Sequence, residues 1–253
     1  MGVLDMFRLD GRVAIVTGAS SGLGVAIARG LAEAGADVIL AARRADKLAE
    51  TRFMVEALGR RAVAVQADVS KPEDAARIVQ SGLAAFGKVD ILVNNAGISS
   101  AVPATRETPE QFSEVIDINL KGSYWMAQEC GRVMKPGSTI INNASVLGLT
   151  SAGLPQAAYV SSKAAVIALT RDLTQQWTGR KGIRVTAVAP GFFDSEMSQA
   201  YPEGYIEQMM PRVLVGRFGD SEELAATVVF LASGAAVYIT GTTITVDGGI
   251  AVS

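Results

Sequence analysis

Apolar residues along the chain fall into two alternating kinds of run. Short, unbroken stretches rich in Val, Ile and Ala at 13–17, 38–41, 62–66, 91–93, 139–141, 185–188 and 243–246 read as strands. Between them, 22–34, 46–58, 72–86, 109–134, 156–178 and 221–231 carry apolar positions at the helical period, with polar residues interleaved. Strands without polar alternation are buried on both faces, and the helices between them supply the cover. No linker or repeat divides the sequence. The pattern therefore predicts an α/β fold: a single doubly wound Rossmann domain over residues 1–253, built on a seven-stranded parallel sheet. In such a fold the ligand sits at the carboxyl ends of the strands. The charge-free stretch 224–246 approaches the length of a membrane span, but Ser233-Gly234 and Thr240-Gly241 interrupt it. It reads as a buried helix followed by a buried strand.

Composition removes several classes of chemistry. Lys and Arg number 23 against 25 for Asp and Glu, a net charge of −2, so no basic excess is present to neutralise nucleic-acid phosphates. The chain contains no histidine, which excludes Ser-His-Asp and Cys-His nucleophiles, His-ligated zinc and a His general base. With one cysteine, Cys130, neither an internal disulfide nor a structural zinc site can form, and no metal is expected. The opening residues Met1 to Met6 lack the basic and apolar regions of an export signal, and no lipid anchor or membrane segment is predicted. The reading is a cytoplasmic protein with a small-molecule substrate.

Other groups must carry any chemistry. The first strand ends in Thr17-Gly18-Ala19-Ser20-Ser21-Gly22-Leu23-Gly24 and passes directly into a helical pattern. Glycines allow a tight turn and close approach to a pyrophosphate, whose charge the helix N-terminus would meet. Turns also collect glycine for structural reasons alone, so the place of the loop between first strand and first helix is what gives it weight. Tyr159 and Lys163 are four apart on a helix and share a face. A phenol titrates near pH 10, and a neighbouring ammonium favours phenolate and lowers that value, toward use as an acid or base near neutrality. An isolated Tyr-x-x-x-Lys is more often a surface contact. Ser145, just beyond the fifth strand, reads either as a cap or as a hydroxyl facing the ligand. Asn119, in an apolar helical stretch, needs hydrogen-bond partners and reads either as a structural bridge or as part of a proton path.

The three-residue gap between the first two loop glycines, Asn94-Asn95-Ala96-Gly97 after the fourth strand, and Tyr159-Val160-Ser161-Ser162-Lys163 opening a late helix together resemble the short-chain dehydrogenase/reductase family. The resemblance runs from Gly11-Arg12-Val13 to Asp247-Gly248-Gly249. It implies hydride exchange between a nicotinamide and a carbonyl carbon, with Tyr159 handling the proton, Ser145 orienting the substrate oxygen, and Lys163 holding the nicotinamide ribose. Asn119 would order a water chain from Lys163. By the same resemblance Gly18, Ser20, Ser21, Gly22 and Leu23 bind cofactor in the loop, and Asp68 and Val69 contact adenine. Asn95, Ala96 and Gly97 line a ribose, Pro190, Gly191 and Phe193 pack on nicotinamide, and Ser195 binds its carboxamide.

Coenzyme choice is read at Ala41-Ala42-Arg43-Arg44, where no acid waits for a ribose hydroxyl and Arg43 offers a cation to a 2′-phosphate. NADP(H) is the expected coenzyme. NAD(H) stays open, because Ser21 stands where many NADP-dependent members carry a basic residue. Residues 194–215, with Met197, Tyr201, Tyr205, Met209 and Met210, read as a lid over the substrate or as ordinary packing. Val146, Leu147, Leu149 and Leu154, facing Phe192, Phe193 and Met197, predict a mostly apolar pocket that favours hydrophobic ketones. The interval from Ser145 to Tyr159 is one residue longer than is usual in the family, with the extra residue expected in 148–155.

The expected activity is an NADP(H)-dependent carbonyl reductase. The alternatives are a sugar-acid (gluconate-type) dehydrogenase, which the run from Leu4 to Gly11 resembles, a 3-ketoacyl-thioester reductase, and a cofactor-binding regulatory protein without turnover. Segments 109–134 and 156–178, carrying Trp125 and Trp177, hold more apolar residues than two solvated faces need, and family members pair these helices across subunits. A homotetramer is expected.

Overall fold

The unbroken apolar runs become the buried middle of one sheet. In the computed structural model, which describes residues 2–194, 196, 198 and 201–253, the strands are β1 (Val13–Thr17), β2 (Asp37–Ala42), β3 (Ala62–Gln66), β4 (Ile91–Asn94), β5 (Thr139–Asn143), β6 (Arg184–Pro190) and β7 (Thr243–Val246). All pair in parallel, in the order β3-β2-β1-β4-β5-β6-β7. Strands β1, β4, β5 and β6 are buried along their whole length, whereas the outermost β3 and β7 expose part of theirs. Strand order reverses between β1 and β4, and their carboxyl ends part there to leave a crevice.

The covering helices are α1 (Gly22–Glu33), α2 (Ala45–Ala57), α3 (Pro72–Phe86), α4 (Pro109–Ile116), α5 (Gly122–Val133), α6 (Ala157–Lys181), α7 (Tyr205–Met209) and α8 (Ser221–Ala232). Successive strand side chains point to opposite faces, so β1 feeds two cores. Ala14 and Val16 pack with Ile27 and Leu31 of α1 and Leu224 and Val228 of α8. Val13 and Ile15 pack with Ile78 of α3, Met126 of α5 and Leu173 of α6. Helices α1 and α8 approach closely at Gly30, where an added Cβ would stand 3.1 Å from Ala225 Cβ. The stretch 224–246 is α8 followed by β7, and among the described residues no helix is long and apolar enough to cross a membrane.

Three features depart from the sequence reading. The single helix expected over 109–134 is α4 and α5 joined by a π turn, Asp117–Lys121, which widens the coil by one residue. There Gly122 lies against β3's following loop: an added Cβ would meet Val69 Cγ2 at 2.7 Å. Helix α6 runs past the expected end to Lys181, where Gly182 adopts a left-handed φ of 65° and stops it. Trp125 and Trp177 are half-buried in this chain's own second core, Trp177 packing against Gly131, where an added Cβ would stand 3.0 Å from its ring, rather than forming an open apolar face. Phe112 and Tyr124 are the aromatic side chains that α4 and α5 leave exposed.

Candidate active site

A cavity of about 610 Å³ opens across the carboxyl ends of the strands. Arg43, Arg44 and Asp68 line one end, the glycine-rich loop its floor, and Ser145, Tyr159 and Lys163 the other end. The loop's shape is fixed by its own contacts. Gly18 and Gly22 have left-handed φ of 66° and 53°, and a Cβ on Gly24 would fall 2.1 Å from Gly18 O. Asn95 and Ala96 donate their backbone N–H to Thr17 Oγ1, both at 3.0 Å, and Asn95 Nδ2 donates to Thr17 O. Asn95 Oδ1 accepts from Asn143 Nδ2, so Asn95 fastens β1 to β4 and β5 while lining the cavity.

Ser21 is the N-cap of α1, yet its side chain does not close that end. Its Oγ is taken instead by Arg44 Nη2 at 2.6 Å. The first N–H groups of α1, on Gly22, Leu23 and Gly24, therefore lie uncapped beside the cavity, where a phosphate group fits. Arg44 also reaches Ser20 and pairs with Glu196 at 3.0 Å, and its guanidinium holds the Glu196 carboxyl below the usual carboxylate range. Arg43 lines the same end with no ion-pair partner among the described residues. Asp68 lines the cavity too, and its Oδ1 accepts from the N–H and Oγ of Ser70 in a local turn. Val69 is buried beside it.

At the far end, the first turns of α6 carry Tyr159 and Lys163, both buried. Lys163 Nζ donates to Asn143 O at 2.7 Å and stands 5.7 Å from the centre of the Tyr159 ring. Burial dominates both titrations. It pushes the Tyr159 phenol up to about 12, against a hydrogen bond with Ser145 that pulls the other way, and pulls the Lys163 amine down to about 8. In the chain itself desolvation therefore outweighs the hydrogen bond with Ser145.

Ser145 accepts a hydrogen bond from Leu147 N–H at 3.1 Å as cap of a short 3-10 turn, Val146–Gly148, so it is a cap and a cavity residue at once. Asn119 sits in the π turn with its amide wholly engaged: Oδ1 accepts from Ile98 N–H, and Nδ2 donates to Ile98 O and Ser162 Oγ. It braces the chain beyond β4 against α6, and its Oδ1 and Lys163 Nζ face the same point above Gly97, where an added Cβ would stand 3.1 Å from the one and 3.5 Å from the other.

Gly97, Pro190, Gly191 and Phe193 line the cavity as expected, with Gly191 pressed so close that a Cβ would meet Asp247 Cα at 2.7 Å. Ser195 and Met197 lie outside the described residues. The expected apolar pocket is only half present. Val146, Leu147, Phe192 and Phe193 line the cavity, but Leu154 does not, and Leu149 turns outward with 50% of its surface exposed. Ser99, Gln156, Ser198 and Tyr201 take their place. Of the residues the sequence reading passed over, Arg44 was visible as the second of an Arg pair and Gln156 as a polar residue three before Tyr159. Nothing local pointed to Ser99, Asn143 or Glu196.

Comparison with known proteins agrees with this geometry. A family model described as enoyl-(acyl carrier protein) reductase matches residues 18–251. The chain is 38% identical over 252 residues to the 2-dehydro-3-deoxy-D-gluconate 5-dehydrogenase of Dickeya dadantii, spanning 98% of both chains. It is 41% identical over 241 residues to a 3-oxoacyl-(acyl-carrier-protein) reductase of Staphylococcus epidermidis, spanning 94% of this chain and 98% of that one. A crystal structure of a short-chain dehydrogenase from Burkholderia cenocepacia in complex with NADP is similar with a TM-score of 0.92 at 35% identity, covering 96% of this chain and 99% of that one.

Proposed function

The chain belongs to the short-chain dehydrogenase/reductase family, oxidoreductases acting on CH–OH and C=O groups with a nicotinamide cofactor, and on that premise we propose that it is an NADP(H)-dependent carbonyl reductase interconverting a ketone and a secondary alcohol. The observation that carries this reading is the meeting of Ser145, Tyr159 and Lys163 at one end of a cavity whose floor is an uncapped helix N-terminus.

The residues present fit such a cofactor. Gly22, Leu23 and Gly24 would hold the pyrophosphate through backbone N–H groups, Asp68 and Val69 the adenine, and Lys163 the nicotinamide ribose. Asn95, Ala96 and Gly97 would border a ribose, with Pro190, Gly191 and Phe193 against the nicotinamide. When bound, the nicotinamide supplies or accepts the hydride. Ser145 Oγ would hold the substrate oxygen beside Tyr159, whose hydroxyl gives its proton to that oxygen as the carbonyl becomes an alcohol. A phenol pushed up to about 12 stays protonated at neutral pH, which suits it as the acid in the reductive direction. Lys163, held by Asn143 O, would recharge the phenolate with a proton. Asn119 acts as a positioning residue through Ser162, whose Oγ donates to Tyr159 O.

The preference for the phosphorylated coenzyme rests on Arg43, an exposed cation without an ion-pair partner among the described residues, and on the absence of an acid at Ala41 and Ala42. The decisive assay is NADPH oxidation over cyclic and aryl ketones, keto sugar acids and ketoacyl thioesters, run beside Tyr159→Phe. Loss of turnover by about 100-fold or more, with coenzyme affinity retained, is expected of that variant. A Tyr159→Phe enzyme with near-normal kcat would overturn the mechanism. The chain is further proposed to form a homotetramer, with exposed Phe112 and Tyr124 on α4 and α5 covered between subunits. Light scattering that returns a monomer mass at micromolar concentration would refute this.

A further inference from the structure

Two polar side chains in the cavity are used neither by the proton-transfer machinery nor by the cofactor contacts. Gln156 is buried immediately before α6, and its Nε2 donates to Ser99 Oγ at 2.9 Å. Its Oε1 has no hydrogen-bond partner among the described residues. Tyr201 lines the same cavity, its ring edge-on to Phe192 at 6.0 Å and tilted against Tyr205 at 5.1 Å. The two tilted phenols are treated differently by the fold. Tyr205 donates its hydroxyl to Ala152 O at 2.8 Å, whereas the Tyr201 hydroxyl has no hydrogen-bond partner among the described residues. Tyr201 packs in the same apolar group as Tyr159 and Phe192, and both tyrosines line the cavity.

Charge narrows what these two groups can take. Among the described residues the charged side chains lining the cavity are Arg43, Arg44, Asp68 and Glu196 at the end away from Tyr159, and Lys163, which is directed at Asn143 O. No further cation lines the cavity among the described residues, and Arg212, which lies near Tyr205, donates to Ser151 O and Ser253 O instead. An apolar substrate that displaced water there would leave an amide atom and a phenol unpaired, and a site built to hydrogen-bond a substrate oxygen discriminates strongly against the analogue that lacks it.

We propose that Gln156 and Tyr201 form a subsite for a second, neutral oxygen, so that the ketone or alcohol taken by this enzyme carries a hydroxyl or carbonyl group on a carbon neighbouring the one that reacts. The proposal rests on the carbonyl-reductase reading, which places the reacting carbon beside Tyr159 and Ser145.

The test compares 2-hydroxycyclohexanone with 2-methylcyclohexanone, a pair of similar shape that differs in the second oxygen. Rates with NADPH and equilibrium binding to the enzyme–NADP+ complex are measured for the wild type, Tyr201→Phe and Gln156→Leu, with melting temperatures confirming that each variant is folded. The wild type is expected to favour the hydroxy ketone by about tenfold or more in kcat/KM, chiefly through KM. Each substitution should shrink that ratio, Tyr201→Phe doing so with no change in ring packing. If neither ketone is reduced but the hydroxy ketone still binds more tightly, and only while Tyr201 and Gln156 are present, the subsite stands and the reductase reading falls. Equal binding and equal rates for the two ketones in the wild type, or a preference that survives both substitutions, overturns the subsite.

Discussion

Replacing Lys163 by Met should make the protein's stability respond differently to pH, by an amount that follows from the burial of its amine. In the folded chain that amine titrates near 8 against 10.5 ordinarily, with desolvation as the cause. At about 1.36 kcal/mol per pKa unit the difference corresponds to roughly 3 kcal/mol. Between these two values the unfolded chain holds a proton that the folded chain has released. Stability therefore rises with pH across the window and is lost as pH falls from 10.5 to about 8, below which both states are protonated and the full penalty stands. Lys163→Met abolishes this titration. It also strips Asn143 O of its donor, a loss of about 1–3 kcal/mol, but that loss does not change with pH. Tyr159, raised from 10 to about 12, stays protonated in the folded chain, and the small slope from its unfolded phenol near pH 10 is common to both proteins. Urea unfolding of both proteins at about pH 7.5 and about pH 9.5, at one protein concentration, should show the wild type gaining about 2 kcal/mol relative to the variant. In thermal melts that is roughly 4–8 °C. Parallel behaviour of the two proteins would mean that the amine is hydrated in the fold and that its burial is not the source of the shift.

Coenzyme affinity gives a second prediction. Arg43→Ala should weaken NADPH by roughly tenfold while NADH barely changes, and Glu196→Gln, by freeing Arg44, should tighten NADPH alone. Both effects should shrink as salt rises, and equal effects on the two coenzymes would remove the 2′-phosphate from this end of the cavity. In Gly24→Ala the new methyl would collide with Gly18 O, where a Cβ has 2.1 Å, so the loop must shift. Titration should show NADPH affinity falling by about tenfold or more together with a lower Tm, and an unchanged dissociation constant would refute the fixed-loop account.

Much of the sheet was legible because its buried strands are apolar without interruption. Helix α3 matches its predicted span at both ends, since Pro72 opens it and Gly87 closes it with a φ of 76°. Strand β5 runs two residues further than its apolar run, because Asn142 and Asn143 are hydrogen-bonded in place by Asn94, Thr170 and Asn95 rather than excluded from the sheet. The π turn could not be read from periodicity, as residues 115–120 are apolar on several sides and carry no mark of an extra residue. At the site, the order of Ser145, Tyr159 and Lys163 along the chain was informative, and all three line one cavity. Arg44 and Glu196, and Ser99 and Gln156, meet across 152 and 57 residues, so no local pattern announces them. The rise of the Tyr159 phenol in the chain itself was not legible, because sequence spacing reports a neighbouring charge but not the depth at which both groups are buried.

The widened turn at Asp117–Lys121 has a further consequence for how one stretch of chain can serve two neighbours. Each residue advances an α-helix by about 100°, so one additional residue rotates everything after it by about that angle without interrupting the coil. Upstream of the turn, Val115 points into the group containing Phe192, Tyr205 and Met209 beside the substrate end of the cavity. Downstream, Met126, Ala127 and Cys130 point at the sheet. The turn works as a fixed gear between two aiming directions. Deleting one residue within it would restore an ordinary helix, yet would swing α5 off the sheet or Val115 away from the pocket wall, because a uniform coil cannot satisfy both.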